Sequence, residues 1–202
     1  MLIKNARIDD HWVDLRIDLT VQAIGPRLEA MPDETVLDAR GGELLPGLYD
    51  HHMHLFAAAA AHESVDCNVG AGTLSQCRDL LATRLQQASG GDWIRGVDYQ
   101  EQQVGELDRW RLDELCSTRP VRIQHRSGKV WVCNSLALQE LGFKDGDRID
   151  GLEVDRRGAL TGRIVRNDSL LAERMRRAKA NKPPDIAAYS RLLASYGIVG
   201  IT

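Results

Sequence analysis

Short stretches of alternating apolar and polar residues fill the first 45 positions. Leu2, Ile3, Ala6 and Ile8 lie in one β-prone run, and Asp9-Asp10-His11 reads as a turn. Val13, Leu15, Ile17 and Leu19 then recur at period two, which puts them on one face of a strand. Val21, Ile24 and a Gly25-Pro26 turn follow, and Thr35-Val36-Leu37-Asp38 is a further short strand closed by Gly41-Gly42. The strands form a meander with too few members to bury both faces alone.

The pattern changes at Glu43. A Pro46-Gly47 turn leads into residues 48–55, which read as one buried strand. Thr73-Leu74-Ser75-Gln76 has the capping-box pattern for a helix over 73–88, with Leu74, Leu80, Leu81 and Leu85 as its apolar stripe and Gly90-Gly91 as its stop. Strand-like segments follow at 93–97, 121–123 and 130–132, with a short helix at 107–115 ended by Arg119-Pro120. Asn134-Ser135 caps a helix that runs to Leu141, with Gly142 as its C-terminal signal. Residues 151–164 read as a hairpin turning at Asp155-Arg156-Arg157-Gly158. A basic helix over 169–179 comes next, then a helix opened by Pro183-Pro184-Asp185 and ending at Tyr196. Residues 197–202 read as a buried strand.

Composition adds bounds. The 202 residues are 43% hydrophobic and 27% charged, which suits an ordinary core and excludes wholesale disorder. With 26 Lys and Arg against 29 Asp and Glu, nothing draws the chain as a whole toward phosphate backbones or anionic lipid, so neither nucleic acid nor membrane is an expected partner. The longest apolar run, 55–61, is far short of the about 20 residues that span a bilayer. The basic run Arg174-Met175-Arg176-Arg177-Ala178-Lys179 lacks interleaved aromatics and reads as a solvated helix face. Cys67, Cys77, Cys116 and Cys133 form no C-x-x-C pair, and no signal-peptide-like stretch opens the chain. They read as reduced, buried thiols in a cytoplasmic protein.

Chemistry concentrates at His51, His52 and His54. In a strand, His52 and His54 point the same way with Cα atoms about 6.6 Å apart, close enough for two imidazoles to converge on one metal ion. Asp50 shares that face and suits a carboxylate that orients a ligating ring. His-x-His alone is weak, since chance supplies about 0.2 such pairs in a chain of this composition. Two histidines satisfied at a polar strand end remain the alternative.

Context narrows the choice. Pro46-Gly47-Leu48-Tyr49-Asp50-His51-His52-Met53-His54-Leu55 resembles the first-strand motif of the amidohydrolase superfamily. Gly91-Asp92-Trp93-Ile94-Arg95-Gly96, Arg119-Pro120-Val121, Asn134-Ser135-Leu136-Ala137-Leu138 and Thr161-Gly162-Arg163-Ile164 resemble further segments of its "amidohydrolase 3" branch, which includes N-substituted formamide deformylases. The resemblance implies an α/β fold: an incomplete (β/α)8 TIM barrel. Residues 1–45 would be the N-terminal part of a small β-sandwich. Residues 46–202 would be the N-terminal part of the barrel, with an α+β insertion at about 90–165 after the first barrel strand. It implies that His52 and His54 are ligands of a divalent metal, zinc by expectation. It also implies a metal-activated water that hydrolyses a non-peptide carbon–nitrogen bond of a small amide-like molecule. The family's remaining ligands and its general-base aspartate come from later barrel strands and are expected beyond residue 202.

Two positions depart from the branch. Lys129 stands where many members have histidine, and Arg166 near where many have glutamate. Either the substrate differs here, or Lys129 is an ordinary solvated lysine. After the sandwich portion, the roughly 160 remaining residues fall short of the about 250 of a barrel. The chain is therefore expected to be an N-terminal fragment, exposing an apolar sheet edge and inactive alone. The other reading is a truncated, non-catalytic metal-binding or interaction module. Whether it forms a homo-oligomer is left open.

Overall fold

The computed structural model describes residues 1–89, 91–180 and 182–202. In chain order the elements are β1 (Leu2–Ile8), β2 (His11–Ile17), β3 (Val21–Gly25), β4 (Val36–Asp38), β5 (Leu48–Asp50), α1 (Leu55–His62), β6 (Val65–Asp66), α2 (Leu74–Gln87), β7 (Ile94–Tyr99), α3 (Glu101–Val104), α4 (Arg109–Leu115), β8 (Val121–His125), β9 (Val130–Cys133), α5 (Ser135–Glu140), β10 (Leu152–Val154), β11 (Leu160–Val165), α6 (Asp168–Arg177), α7 (Ile186–Ser195) and β12 (Ile198–Ile201). The chain divides into two compact units, Met1–His52 with Leu193–Thr202, and Met53–Leu192.

In the first unit the sheet order is β3-β2-β1-β4, with β1 and β4 parallel and the other pairs antiparallel. Ile3, Ala6 and Leu15 are buried, with Val13, Ile17, Ala39 and Leu44 against them. The face expected for β2 thus holds as far as Ile17, but Leu19 lies beyond the strand and is 97% exposed. Buried Asp14 accepts the backbone N–H groups of Leu28 and Asn5, each at 2.9 Å, and those bonds hold its carboxyl below the usual range. Glu34 accepts from Arg16 Nε at 2.8 Å and Nη2 at 2.9 Å, and from the Met31 N–H. The guanidinium, foremost, lowers its pKa from 4.5 to about 2.

The second unit is built on a sheet in the order β10-β11-β9-β8-β7-β6. Strands β6, β7 and β8 are parallel, and the remaining pairs are antiparallel. Alternation along β9 separates two cores: Val132 joins Leu81, Leu85, Ile94, Leu112 and Ile123, whereas Trp131 and Cys133 join Leu138, Phe143, Ile164, Leu171 and Met175. The capping box forms as expected, with Thr73 Oγ1 accepting the Gln76 N–H and Gln76 Oε1 accepting the Thr73 N–H. The buried stripe of α2 is Cys77, Leu81 and Leu85, spaced four apart; Leu74 and Leu80 are exposed. Gly90, half of the expected helix stop, lies outside the described residues.

Asn134 caps α5 and does more. Fully buried, its Oδ1 accepts the N–H groups of Ala137 (2.9 Å) and Val121 (3.0 Å), and its Nδ2 donates to the carbonyls of Cys116 (3.0 Å) and Arg119 (2.8 Å). Gly162 in β11 has φ +83°, and a Cβ there would lie 2.3 Å from the Cys133 carbonyl oxygen.

The expected buried strand over 48–55 is corrected. Only Leu48, Tyr49 and Asp50 are extended, and Leu48 and Tyr49 are 54% and 63% exposed. The Asp50 carboxylate accepts the His52 N–H at 2.8 Å and turns the chain, while five consecutive alanines favour helix from Leu55 onward. The buried strand expected at 197–202 is corrected likewise, since β12 leaves Val199 65% exposed. β5 and β12 run parallel and approach so closely that a Cβ on Gly47 would lie 2.4 Å from Val199, and one on Gly200 2.2 Å from Tyr49.

Two outcomes are expected. Asn134→Ala leaves two carbonyls and two N–H groups without their partner and should cost about 2–4 kcal/mol in urea unfolding. Because Glu34 titrates lower in the folded chain, its stabilisation is complete above about pH 4.5 and is lost as pH falls toward 2. Glu34→Gln should flatten the pH dependence of the unfolding midpoint in that window.

Candidate metal centre

The candidate ligands follow β5. Asp50 ends the strand, its Oδ1 held by the His52 backbone N–H. His51 is the engaged histidine of the three: its Nδ1 lies 2.8 Å from Thr202 Oγ1, and its ring stacks on Tyr49 with centroids 6.2 Å apart. The Thr202 N–H donates to the Asp50 carbonyl at 3.1 Å, so the end of β12 grips the end of β5. His52 and His54 lie outside any strand, and both are exposed. His54 is the residue before α1, with φ −90° and ψ 91°, and its carbonyl accepts the Ala58 N–H at 2.9 Å. Among the described residues neither the His52 nor the His54 ring has a hydrogen bond.

The two units divide between His52 and Met53, so each ring is described with its own unit. One intervening residue keeps the two Cα atoms within about 7 Å of each other whatever the local conformation. In kind, the donors suit a divalent ion: two imidazoles and the second oxygen of Asp50. In number they fall short of a complete sphere of four or more ligands. Among the described residues no group of three or more His, Cys, Asp or Glu side chains is arranged to hold a metal.

The other histidines have local partners. His11 Nδ1 lies 2.8 Å from the Asp9 carbonyl, and the His62 ring tilts against Tyr189 at 5.4 Å. His125 joins Glu101 (Nε2 to Oε2, 2.6 Å) and Ser127 (Nδ1 to Oγ, 2.7 Å). The Ser127 backbone N–H also points at Nδ1, so the ring proton sits on Nε2 and faces the carboxylate. Backbone N–H at the start of α3, then His125, hold the Glu101 carboxyl below its usual range. These three residues, with Tyr99, Lys129 and Arg166, line a cavity of about 350 Å³. Lys129 and Arg166 are both exposed at its edge, and the Arg166 N–H, at a residue with φ +51°, donates to the Lys129 carbonyl at 2.8 Å. No spacing in the sequence pairs Glu101 with His125; the sheet brings them together.

All four cysteines are buried and unbridged. Burial pushes the Cys67 and Cys133 thiols up to about 12, which keeps them protonated and unreactive. In the basic run, Met175 is buried, Arg174 lies 4.8 Å from the Phe143 ring, and Arg177 pairs with Glu173. Among the described residues no helix is long and apolar enough to cross a membrane.

Known proteins supply the context. The sequence profile of the amidohydrolase family matches residues 35–202. An N-substituted formamide deformylase from Arthrobacter pascens is 32% identical over 118 residues, covering 56% of this chain and 22% of that protein. An imidazolonepropionase from Symbiobacterium thermophilum is 30% identical over 120 residues, covering 55% of this chain and 26% of that protein. Two crystal structures of uncharacterised metal-dependent hydrolases, from Pyrococcus furiosus and Pyrococcus horikoshii, superpose on 99% of the chain. Their TM-scores are 0.69 and 0.65 at 22% and 20% identity, and the chain covers 43% and 42% of them. The chain therefore spans about a quarter of the curated relatives it matches and about two fifths of these structures, and its mixed α/β fold is that of the part it superposes on. With the family profile matching most of its length, the chain belongs to the amidohydrolase family.

Proposed function

We propose that the chain is the N-terminal portion of a cytoplasmic metal-dependent hydrolase that cleaves a non-peptide carbon–nitrogen bond in a small amide-like molecule. His52 and His54 hold a divalent ion, zinc by donor type, together with ligands from the rest of that protein. The observation that carries this reading is where the His-x-His pair stands: just past the carboxyl end of β5, a strand parallel to its neighbour β12, with both rings free of hydrogen bonds among the described residues. Carboxyl ends of parallel strands are where α/β barrels place their chemistry. The pair also lies inside the stretch that matches the family. The bond class draws support from the formamide deformylase relative, and the partial length from the share of each relative that the chain covers.

A bound divalent ion polarises a carbonyl and lowers the pKa of water. The residues of this chain supply the setting. His52 and His54 offer exposed imidazole nitrogens from the segment that follows β5. Asp50 fixes the turn that presents them through its bond to the His52 N–H, and its second oxygen is available to a ring N–H. His51, tied to Thr202, holds the end of β5 against β12. Lys129 and Arg166 line the cavity that also holds Glu101 and His125.

Metal content tests the ligands. In the complete protein, which carries the remaining ligands, the wild type should retain zinc measured by elemental analysis after gel filtration, and the His52→Ala/His54→Ala double variant should bind it at least 10-fold more weakly. Equal stoichiometry in both would reject the assignment. Purified 1–202 should show no turnover of an N-substituted formamide in the presence of zinc. Robust metal-dependent turnover would overturn the partial-portion reading.

A further inference from the structure

The second unit holds a cavity of about 670 Å³, within the range of small-molecule sites. Its floor is one face of the six-stranded sheet. Ile94, Val121, Ile123 and Val132 point into the core under α2 and α4, so Arg95, Arg122 and Trp131 point the other way, into the cavity. Arg95 and Arg122 are register partners on the parallel strands β7 and β8, so they stand side by side. Each guanidinium also lies against the Trp131 ring, at 5.6 Å and 5.1 Å from its centroid.

The two cations are differently served. Arg95 donates to the Ala60 carbonyl at 2.8 Å and to Ser64 Oγ at 2.6 Å. The Arg122 guanidinium has no hydrogen bond and no ion pair among the described residues, only the aromatic face. Among the described residues the cavity lining adds Lys182 and one acid, Glu63, whose Oε1 accepts the Asp185 N–H at 2.6 Å. Burial lowers the Arg95 pKa, and burial together with the neighbouring Arg95 charge lowers that of Arg122 to about 10. A half-buried guanidinium with five unused donors, beside a like charge, is costly unless an anion completes it.

We propose that this cavity binds a small organic anion through its acid group, a carboxylate or a phosphate, seated on Arg122 with Arg95 beside it. Phe56, Trp93 and Pro183 form apolar wall for the rest of the molecule. The planar fork of Arg122 suits two-oxygen contact with either group.

Thermal unfolding of the 202-residue chain tests this, with sodium benzoate or inorganic phosphate replacing chloride at constant ionic strength. At least one anion should raise the midpoint saturably, by about 5 °C or more at 100-fold over its dissociation constant. A shift with benzoate alone assigns a carboxylate ligand, a shift with phosphate alone a phosphorylated one, and a shift with both supports the shared acid-group site. Arg122→Met keeps the packing and should bind the active anion at least 10-fold more weakly by calorimetry, while Arg122→Lys should fall between. In chloride, Arg122→Met should unfold at or above the wild-type temperature. No saturable shift with either anion, or equal shifts in wild type and Arg122→Met, would overturn the proposal. So would a fall of more than about 5 °C for Arg122→Met in chloride, which would mark the cation as purely structural.

Discussion

The amide of Asn134 sits where four pieces of chain meet, and it has no water to fall back on. It takes a carbonyl at the end of α4, a carbonyl and an N–H where the chain enters β8, and an N–H in the first turn of α5. Only a side chain with both two donors and an acceptor can meet that demand. Aspartate would leave the Cys116 and Arg119 carbonyls bare, and leucine would leave all four groups bare. The alignment of β8 beside β9 starts from this point, and with it the direction in which every β8 side chain faces. Arg122 reaches one cavity and His125 the other because β8 is pinned at its first residue.

Much of this was legible. Asn134 followed by Ser135 announces a cap, and Gly142, with φ +71°, ends the helix that it opens. The hairpin at Asp155-Arg156-Arg157-Gly158 forms because the Asp155 carboxylate accepts the Arg157 and Ala159 N–H groups. Such signals are local, and local chemistry decides them. The further bonds of Asn134 to Cys116, Arg119 and Val121 are not local, and no pattern around position 134 foretells them.

At the site the residue types were legible and the backbone was not. An apolar run after His54 fits a strand or a helix equally well by periodicity. The alanines and the Asp50 turn decide for helix, and the shared strand face expected of Asp50, His52 and His54 does not form. The pairing of Arg95 with Arg122 is not legible in the sequence for a related reason. Alternation marks them as the outward positions of two strands, and outward charges usually meet water. That the two strands lie in register and that α1 and the segment before α7 enclose the pair are facts of tertiary structure.

The pairing of β5 with β12 has a temporal side. Leu48 meets Ile198 across about 150 residues, whereas the strands of the larger sheet find neighbours close by in the chain. Closing so long a loop carries an entropic penalty that local hairpins avoid. The β5–β12 contact is short and exposed, with few buried groups to repay that penalty. It is therefore the pairing to form last and to open first, and the turn that carries the histidines inherits that order.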